Sequence, residues 1–231
     1  MIEISLVRHV KVEGPPALYG ATNVMPNAEE NARLLESLTA AQQHGGSYDL
    51  VITSPLKRCR IVAELFAKQN ETPLCCIESL QEVNFGGFDG IPFDDATFSL
   101  KTQSGKKNWS MLENFWQAPA VATLPEAESL AEFNQRISTA WGELIESCYL
   151  QEIEGKRPKR VLLLAHGGVI RMILAQILQL EWQNPILHQS LQIGYGSLTK
   201  VTVTRPFEQL NQNHFQVNFI GLPLLNFSVF S

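Results

Sequence analysis

Short apolar runs recur along the chain and predict the strands of a buried sheet. Four of them are continuous rather than alternating, which is typical of strands covered on both faces. These runs are residues 2–7, 48–53, 74–80 and 161–165. Two later runs, 194–204 and 215–220, alternate between apolar and polar positions and predict edge strands.

Helical periodicity fills most of the intervals between these runs. Apolar residues spaced by three and four predict amphipathic helices over 126–149 and 169–180. Residues 85–125 are rich in glycine, aromatic and polar residues, with a short helix predicted over 109–116. We expect a single α/β domain over 1–231 in which residues 85–125 form a cap-like insertion over a site.

Capping residues predict where two further helices begin. Asn27 is expected to be the N-cap and Glu30 the capping-box acid of a helix that reaches about Gln43, before a Gly-Gly pair. Ser54 and Pro55 predict a capping hydroxyl followed by a proline at the first helical position. That helix would directly follow the second strand.

Composition and charge narrow the class of protein. The 231 residues are 45% hydrophobic, enough for one continuous core. The net charge of -5 comes without a basic stripe, so we expect no nucleic-acid partner. No apolar stretch could span a bilayer and the first residues do not resemble a secretion signal, so we expect a cytoplasmic protein with no membrane partner.

The four cysteines do not indicate a disulfide framework or a metal site. They contain no Cys-x-x-Cys pair and none sits beside a histidine at ligand spacing; they are Cys59, Cys75, Cys76 and Cys148. We therefore predict free thiols that act as small buried apolar residues.

Charged side chains and histidines follow the four buried runs. Arg8 and His9 end the first, Glu82 follows the third, and His166 follows the fourth, while Arg58 falls in the first turn of the helix after the second. The carboxyl ends of parallel strands meet at one edge of a sheet, so these five side chains are expected to share one mouth. Two guanidiniums and two imidazoles suit a phosphoryl group, and a carboxyl group can protonate a leaving oxygen.

Each of these residues taken alone has an ordinary structural explanation. A histidine at a strand end is commonly a hydrogen-bonded structural residue, an arginine on a helix often forms a surface salt bridge, and a loop glutamate is usually solvated. The glycines at 167 and 168 could simply allow a strand and a helix to pack closely. The functional interpretation depends on the joint pattern.

Four segments together resemble the histidine phosphatase superfamily, in its phosphoglycerate-mutase-like branch. The resemblance covers nearly the whole chain to about Val203. Its segments are Leu6-Val7-Arg8-His9, Ser54-Pro55-Leu56-Lys57-Arg58-Cys59, Leu80-Gln81-Glu82-Val83-Asn84-Phe85-Gly86 and Ala165-His166-Gly167-Gly168-Val169-Ile170-Arg171. The resemblance implies a three-layer α/β/α sandwich with a mostly parallel central sheet.

The resemblance also implies a role for each residue. His9 would attack phosphorus to give a phosphohistidine, while Arg8, Arg58 and His166 hold the phosphoryl oxygens. Glu82 would protonate the leaving group and then take a proton from the attacking water. His9, Glu82 and His166 are thus the implied catalytic residues, and no metal or other cofactor is required.

The loop after His9 departs from the family pattern. Val10 stands where glycine is common, and the family's usual threonine and asparagine are replaced by residues 11–13 and a Pro-Pro turn. A supporting phosphate contact would then have to come from elsewhere, for example from Thr22 or Asn23. A loop of this kind is similar to that of the α-ribazole-5′-phosphate phosphatases, which act in cobalamin nucleotide-loop assembly.

The substrate implied is a small-molecule phosphate ester. Val83-Asn84-Phe85-Gly86 replaces the carboxylate-binding stretch of the mutases, which favours a phosphatase with α-ribazole 5′-phosphate as substrate. Stacking on cap aromatics would suit a flat heterocycle; the candidates are Phe88, Phe93, Phe98, Trp109 and Trp116.

Alternatives remain open at this stage. They are a broad-specificity phosphatase, a phosphoglycerate mutase, a non-catalytic phosphate-binding module and a metal-dependent hydrolase, the last disfavoured because common metal motifs are missing. A homodimer is possible. The apolar tail 221–231 could cover the core, pack on a second copy or lack fixed structure.

Overall fold

A six-stranded sheet forms the centre of the molecule, which a computed structural model describes over residues 1–150, 158–206 and 212–225. Its strands are β1 (Ile2–Arg8), β2 (Leu50–Thr53), β3 (Leu74–Cys76), β4 (Arg160–Ala165), β5 (Ser197–Thr204) and β6 (His214–Pro223). They lie in the order β3-β2-β4-β1-β5-β6. Only β5 runs against the others, because it pairs antiparallel with both β1 and β6.

Helices cover both faces of this sheet. The helices are α1 (Ala28–Gly45), α2 (Lys57–Gln69), α3 (Gln103–Gln117), α4 (Leu130–Leu150), α5 (Gly167–Ile177) and α6 (Pro185–Ser190). Of these, α1 and α2 pack on one face and α4 and α5 on the other. Alternate residues of β4 point to opposite faces: Leu162 and Leu164 pack with α1 and α2, whereas Leu163 packs with α4 and α5. The predicted α/β/α sandwich with a mostly parallel sheet is confirmed.

The third strand is shorter than its apolar run predicts. It ends at Cys76, and residues Glu78–Leu80 form a 3-10 turn instead. Arg136 of α4 donates to the carbonyls of Ser79 and Gln81, at 2.8 and 3.0 Å, so the backbone there bonds to a side chain rather than to a strand. The turn buries Leu80 and directs the chain toward Glu82.

Two of the three capping predictions need correction. Asn27 caps α1 as predicted, accepting from the Glu30 backbone at 3.0 Å, but the Glu30 carboxylate binds the Lys11 N–H instead of closing the capping box. Ser54 does not cap α2 and Pro55 is not its first residue, because α2 begins at Lys57. The Ser54 hydroxyl accepts from the Leu56 N–H at 3.4 Å and lies 2.8 Å from His166 Nε2. The helix predicted over 126–149 begins only at Leu130.

Ser129 and Glu132 form the capping box of α4 reciprocally: the Glu132 carboxylate accepts from the Ser129 N–H at 2.8 Å, and the Ser129 hydroxyl accepts from the Glu132 N–H at 3.2 Å. This pair was not expected from the sequence, because the predicted helix start lies four residues before Leu130.

The later strands and the tail also differ from expectation. β5 is an interior strand between β1 and β6, so of the two later strands β6 alone is an edge. Gly194 to Gly196 form a turn before it rather than its first residues. Of the apolar tail, Leu224 is buried against α1 and Leu225 packs beside it, while residues 226–231 lie outside the described residues.

All four cysteines are free, as predicted, but only two are buried. Cys59 and Cys148 pack in the core, whereas Cys75 and Cys76 are exposed on the short edge strand β3. Burial raises the pKa of the Cys59 thiol, which therefore stays protonated at neutral pH although it lies 3.6 Å from His166 Nε2.

Residues 85–125 form a separate apolar cluster beside the sheet's carboxyl edge. They contain α3 and the 3-10 turns Gly86–Phe88 and Ala96–Phe98. The cluster's buried residues are Phe88, Phe98, Leu112 and Leu124. We call this region the cap segment.

Across the described residues, no helix is long and apolar enough to cross a membrane.

Candidate active site

The structure brings together all five side chains predicted from the strand ends. Arg8 ends β1 and His9 follows it, His166 lies between β4 and α5, and Arg58 is in the first turn of α2. Parallel pairing of Arg8 with Ala165 places His9 beside His166, with ring centroids 5.1 Å apart. Glu82 joins them by accepting a hydrogen bond from the Gly168 N–H at 2.9 Å.

His9 is held in one tautomer. Its Nδ1 lies 2.6 Å from the carbonyl oxygen of Val10, and because a carbonyl can only accept, Nδ1 carries the proton. Nε2 is left with its lone pair. Burial lowers the pKa of His9 well below its usual value, and the charges of Arg58 and Arg8 lower it further, so the ring is neutral at pH 7.

His166 is fully buried and bonded on both nitrogens. Arg58 Nε donates to Nδ1 at 3.2 Å, so Nε2 carries the proton and donates it to the Ser54 hydroxyl at 2.8 Å. Burial, followed by the Arg58 charge, lowers the pKa of His166 well below its usual value. A phosphoryl oxygen that accepts the Nε2 proton would have to replace Ser54 as the partner.

Arg58 is fully buried, and the loop over residues 19–22 surrounds it. Its Nη1 donates to the Thr22 carbonyl at 2.8 Å, and its Nη2 donates to the carbonyls of Tyr19 and Gly20 at 3.2 and 2.6 Å. With the bond to His166, these acceptors take up most of the five N–H donors of a guanidinium. Arg58 therefore presents its charge to the site in a fixed position.

Arg8 has an unused donor in the site. Its Nη1 donates to the Ile193 carbonyl, but its buried Nε has no hydrogen-bond partner among the described residues. Its guanidinium carbon lies 3.7 Å from the ring centroid of Tyr195, a cation–π contact, and the same ring lies 5.6 Å from His9. A buried N–H without a partner is costly, and an anion bound beside His9 would satisfy it.

Glu82 depends on a close backbone approach. Its Oε1 accepts from the Val83 N–H at 3.1 Å while Oε2 accepts from Gly168 at the start of α5. A Cβ on Gly168 would lie 2.2 Å from Glu82 Oε1, so a side chain there would displace the Glu82 carboxylate. The position of the Glu82 carboxylate therefore favours glycine at residue 168, in addition to the close packing of strand and helix.

A cavity of about 470 Å³ opens on the Glu82 side of these groups. Its polar lining residues are Arg8, Glu82, Arg171, His188 and Gln189, and its apolar wall includes Phe85, Phe115 and Trp116. Arg171 Nε donates to the Leu191 carbonyl at 3.2 Å, while its Nη atoms have no hydrogen-bond partner among the described residues. A larger groove of about 910 Å³ between α1 and β6 lies away from all of these side chains.

The aromatic residues of this cavity are mostly not those expected. Of the predicted set only Trp116 lines it; Phe88 and Phe98 are buried in the cap segment's cluster. Phe93 and Trp109 contact Trp116 edge to face and support it from behind. The other aromatic rings of the wall are Phe85, Phe115 of α3 and Phe133 of α4.

The residues discussed for the loop after His9, which are Val10, Thr22 and Asn23, make contacts other than those expected from the sequence. Val10 is completely buried in the core on the α1 side, so its side chain points away from the site. The Asn23 side chain accepts from the Lys57 N–H at the start of α2, at 2.8 Å, and the Thr22 backbone is bonded to Arg58 and Asp89. Both residues thus support Arg58 and the start of α2.

Four contributions to the site were not expected from the sequence: the hydrogen bond between Ser54 and His166 and the contacts of Asp89, Arg171 and Tyr195. Only Arg171 had a signal, since it lies one helical turn beyond Gly168 on the face that carries the site. The other three act through loop geometry, which has no periodicity.

Within residues 1–150, 158–206 and 212–225, no group of three or more His, Cys, Asp or Glu side chains is arranged to hold a metal ion.

Proteins of known families are similar to this chain in sequence and in fold. The model of the histidine phosphatase superfamily (branch 1) matches residues 4–213. Adenosylcobalamin/alpha-ribazole phosphatase of Escherichia coli K12 is 27% identical over 177 residues, 75% of this chain and 77% of that protein. Probable phosphoglycerate mutase GpmB of Escherichia coli is 25% identical over 78% of this chain and 76% of that protein.

A solved structure extends the match to the fold. The alpha-ribazole phosphatase from Shigella flexneri superposes with a TM-score of 0.72 at 19% identity, covering 95% of this chain and 96% of that one. At that identity the likeness concerns the fold alone.

Proposed function

The chain belongs to the histidine phosphatase superfamily, branch 1, as a phosphatase, and we propose that it hydrolyses phosphomonoesters through a phosphohistidine on His9. The observation that carries this proposal is the fixed tautomer of His9. The Val10 carbonyl holds the Nδ1 proton, so the Nε2 lone pair is available as a nucleophile.

In the first step Nε2 of His9 attacks phosphorus and the bond from phosphorus to the ester oxygen breaks. The leaving oxygen takes a proton from Glu82. The half-buried Arg8 and the buried Arg58 face the phosphoryl oxygens as charge moves onto them, and the free Nε–H of Arg8 supplies a hydrogen bond.

In the second step water attacks the phosphohistidine. Glu82, now a carboxylate, takes a proton from that water, the bond from phosphorus to nitrogen breaks, and inorganic phosphate leaves. His166 contributes in both steps by its Nε2–H, once a phosphoryl oxygen replaces the Ser54 hydroxyl. The five residues return to their starting protonation.

We further propose α-ribazole 5′-phosphate as the substrate, hydrolysed to α-ribazole. The support is the 27% identical relative from Escherichia coli K12 and the shape of the cavity beside Glu82. Phe85, Phe115 and Trp116 offer faces for a flat heterocycle, and the unpaired Nη groups of Arg171 offer donors to sugar hydroxyls.

One observation favours a second substrate class, a phosphorylated carboxylic acid. A guanidinium binds carboxylate in a bidentate manner, and Arg171 lies in the cavity where the substrate's leaving part would be. 3-Phosphoglycerate represents this class.

The deciding experiment compares kcat/KM for α-ribazole 5′-phosphate, adenosine 5′-monophosphate and 3-phosphoglycerate in the presence of EDTA. We expect α-ribazole 5′-phosphate to be preferred by at least about tenfold, the selectivity worth 1.4 kcal/mol of differential transition-state binding. Preference for 3-phosphoglycerate would favour the acid class, and equal values would indicate a broad-specificity phosphatase. Loss of turnover in EDTA would contradict the metal-independent mechanism.

A further inference from the structure

The carboxylate of Asp89 in the cap segment collects an unusual number of backbone donors. Its Oδ1 accepts from the N–H groups of Gly20 and Thr22, at 3.2 and 2.9 Å. Its Oδ2 accepts from Ala21 at 2.8 Å and from Phe85 at 3.0 Å. One side chain therefore fixes three consecutive residues of the loop that surrounds Arg58.

The same loop residues turn their carbonyls toward Arg58. While the N–H groups of Gly20 and Thr22 point to Asp89, their carbonyl oxygens accept from the Arg58 guanidinium. The loop thus lies between a carboxylate and a guanidinium and is bonded to both. Arg58 in turn donates to His166, so a continuous hydrogen-bonded path runs from Asp89 to the second histidine.

Packing leaves this loop little freedom. A Cβ on Gly20 would lie 1.9 Å from the Val83 carbonyl oxygen and 2.5 Å from Asp89 Oδ2, so the backbone is pressed between them. The N–H of Gly90, next to Asp89, donates to the Leu18 carbonyl at 2.7 Å and ties the cap segment to the start of the loop.

We infer that Asp89 is a positioning residue for phosphoryl transfer, which holds the 19–22 loop so that Arg58 meets the phosphoryl group in a fixed orientation. The inference rests on the proposed function of the site. It assigns to the cap segment a part in building the phosphate end, in addition to covering it. Asp89 acts through Arg58 and does not itself touch the substrate.

The test is a double-mutant cycle between Asp89→Asn and Arg58→Gln, measured on p-nitrophenyl phosphate turnover and on binding of inorganic phosphate by calorimetry. Asparagine keeps the shape but loses the charge and turns a donor toward the loop. A displacement of about 1 Å at a catalytic group can cost about 100-fold, so we expect Asp89→Asn to lower kcat/KM by about 10- to 100-fold. Phosphate affinity should fall with it.

The cycle separates positioning from general stability. If Asp89 acts through Arg58, Asp89→Asn should cost less than about threefold in the Arg58→Gln background, because the group it positions is gone. Equal losses in both backgrounds would overturn the inference. The matched control is Asp95→Asn, since Asp95 also caps a backbone turn in the cap segment, at Thr97, but has no path to Arg58.

Two further arms keep the test decisive. If Asp89→Asn does not fold, Asp89→Glu retains the carboxylate and shifts it by one methylene, and it should show a smaller loss that again vanishes in the Arg58→Gln background; a loss that persists there would overturn the inference. If the wild-type protein binds phosphate but does not turn over substrate, the proposed function fails, while the binding arm of the cycle still tests Asp89.

Discussion

At the proposed phosphate end of the site Arg58, His166 and Ser54 are bonded to one another, whereas at the proposed leaving-group end most of the wall is apolar and the Arg171 Nη atoms have no hydrogen-bond partner among the described residues. Arg58 and His166 are fully buried and each has several protein partners. Arg171 is half-buried and makes one hydrogen bond, through Nε. The first arrangement suits a ligand of fixed shape and charge, and the second suits selection among different leaving groups.

The two ends also differ in which secondary-structure elements position their side chains. Strand ends and helix starts place His9, His166 and Arg58, and a capping interaction at α5 places Glu82. The cavity wall comes from helices α3, α4, α5 and α6 and from the loop that contains Val83 and Phe85. Changes at the phosphate end should therefore abolish chemistry on every substrate, while changes in the cavity should alter only substrate choice.

The largest effect is expected from His9→Ala. Removing the nucleophile should lower kcat by about 10⁴-fold or more for every phosphate ester, because the phosphohistidine cannot form. Steady-state assays on p-nitrophenyl phosphate and on α-ribazole 5′-phosphate would measure it. Turnover within tenfold of wild type would rule out His9 as the nucleophile.

The next effect should come from Glu82→Gln and should depend on the leaving group. General acid catalysis contributes about 10²- to 10⁴-fold, and it matters most when the leaving oxygen is basic. We expect a loss of about 100-fold or more on an alkyl phosphate and a much smaller loss on p-nitrophenyl phosphate. Equal losses on both would show that Glu82 does not supply the proton.

Arg171→Met should separate the two ends of the site. A hydrogen bond from a charged donor contributes about 1.5–3 kcal/mol, so kcat/KM should fall by about 10- to 100-fold for substrates with oxygen acceptors on the leaving group. p-Nitrophenyl phosphate should be affected by less than threefold. The matched control is Arg33→Met on the exposed face of α1, which should leave kcat/KM unchanged for both kinds of substrate. A uniform loss in Arg171→Met would assign that residue to the phosphate end.

The smallest effect is a dependence of stability on pH. Burial, together with the Arg58 charge, lowers the pKa of His9 and of His166 in the folded protein. Below about pH 6.5 the unfolded chain binds protons that the folded chain does not, so the free energy of unfolding should fall as pH falls, by up to about 1.4 kcal/mol per pH unit for each histidine.

Urea unfolding between pH 7.5 and 5.0 would measure this slope. The His9→Asn variant should show a shallower slope than wild type because one buried titrating group is removed. Identical slopes would mean that His9 titrates alike in the folded and unfolded states.

The sequence predicted which side chains lie together at the carboxyl edge of the sheet, for a physical reason. Continuous apolar runs fix parallel strands, and parallel strands bring their carboxyl ends to one edge, so Arg8, His9 and His166 could be placed from periodicity alone. The run 74–80 was misread because apolar residues in a 3-10 turn resemble a strand. Ser54 was misread because a hydroxyl before a helix is usually a cap, and here a buried histidine competes for it.

The cavity wall and the loop residues that support Arg58 and Arg8 could not be predicted in the same way. Asp89 and Tyr195 lie in turns, and their contacts depend on how loops distant in sequence meet. Phe88 was expected to face the substrate but is buried in the cap segment, because the composition of an insertion does not show which of its aromatic residues face inward.

The central claim is that the phosphoryl group passes through Nε2 of His9. The most direct test is rapid quenching of the enzyme with a phosphate-labelled substrate into alkali, where phosphohistidine survives, followed by mapping of the labelled peptide by mass spectrometry. We predict a label on His9 that forms faster than product is released and is absent from His9→Ala. A fully active enzyme without a labelled intermediate, or with the label on another residue, would contradict the account.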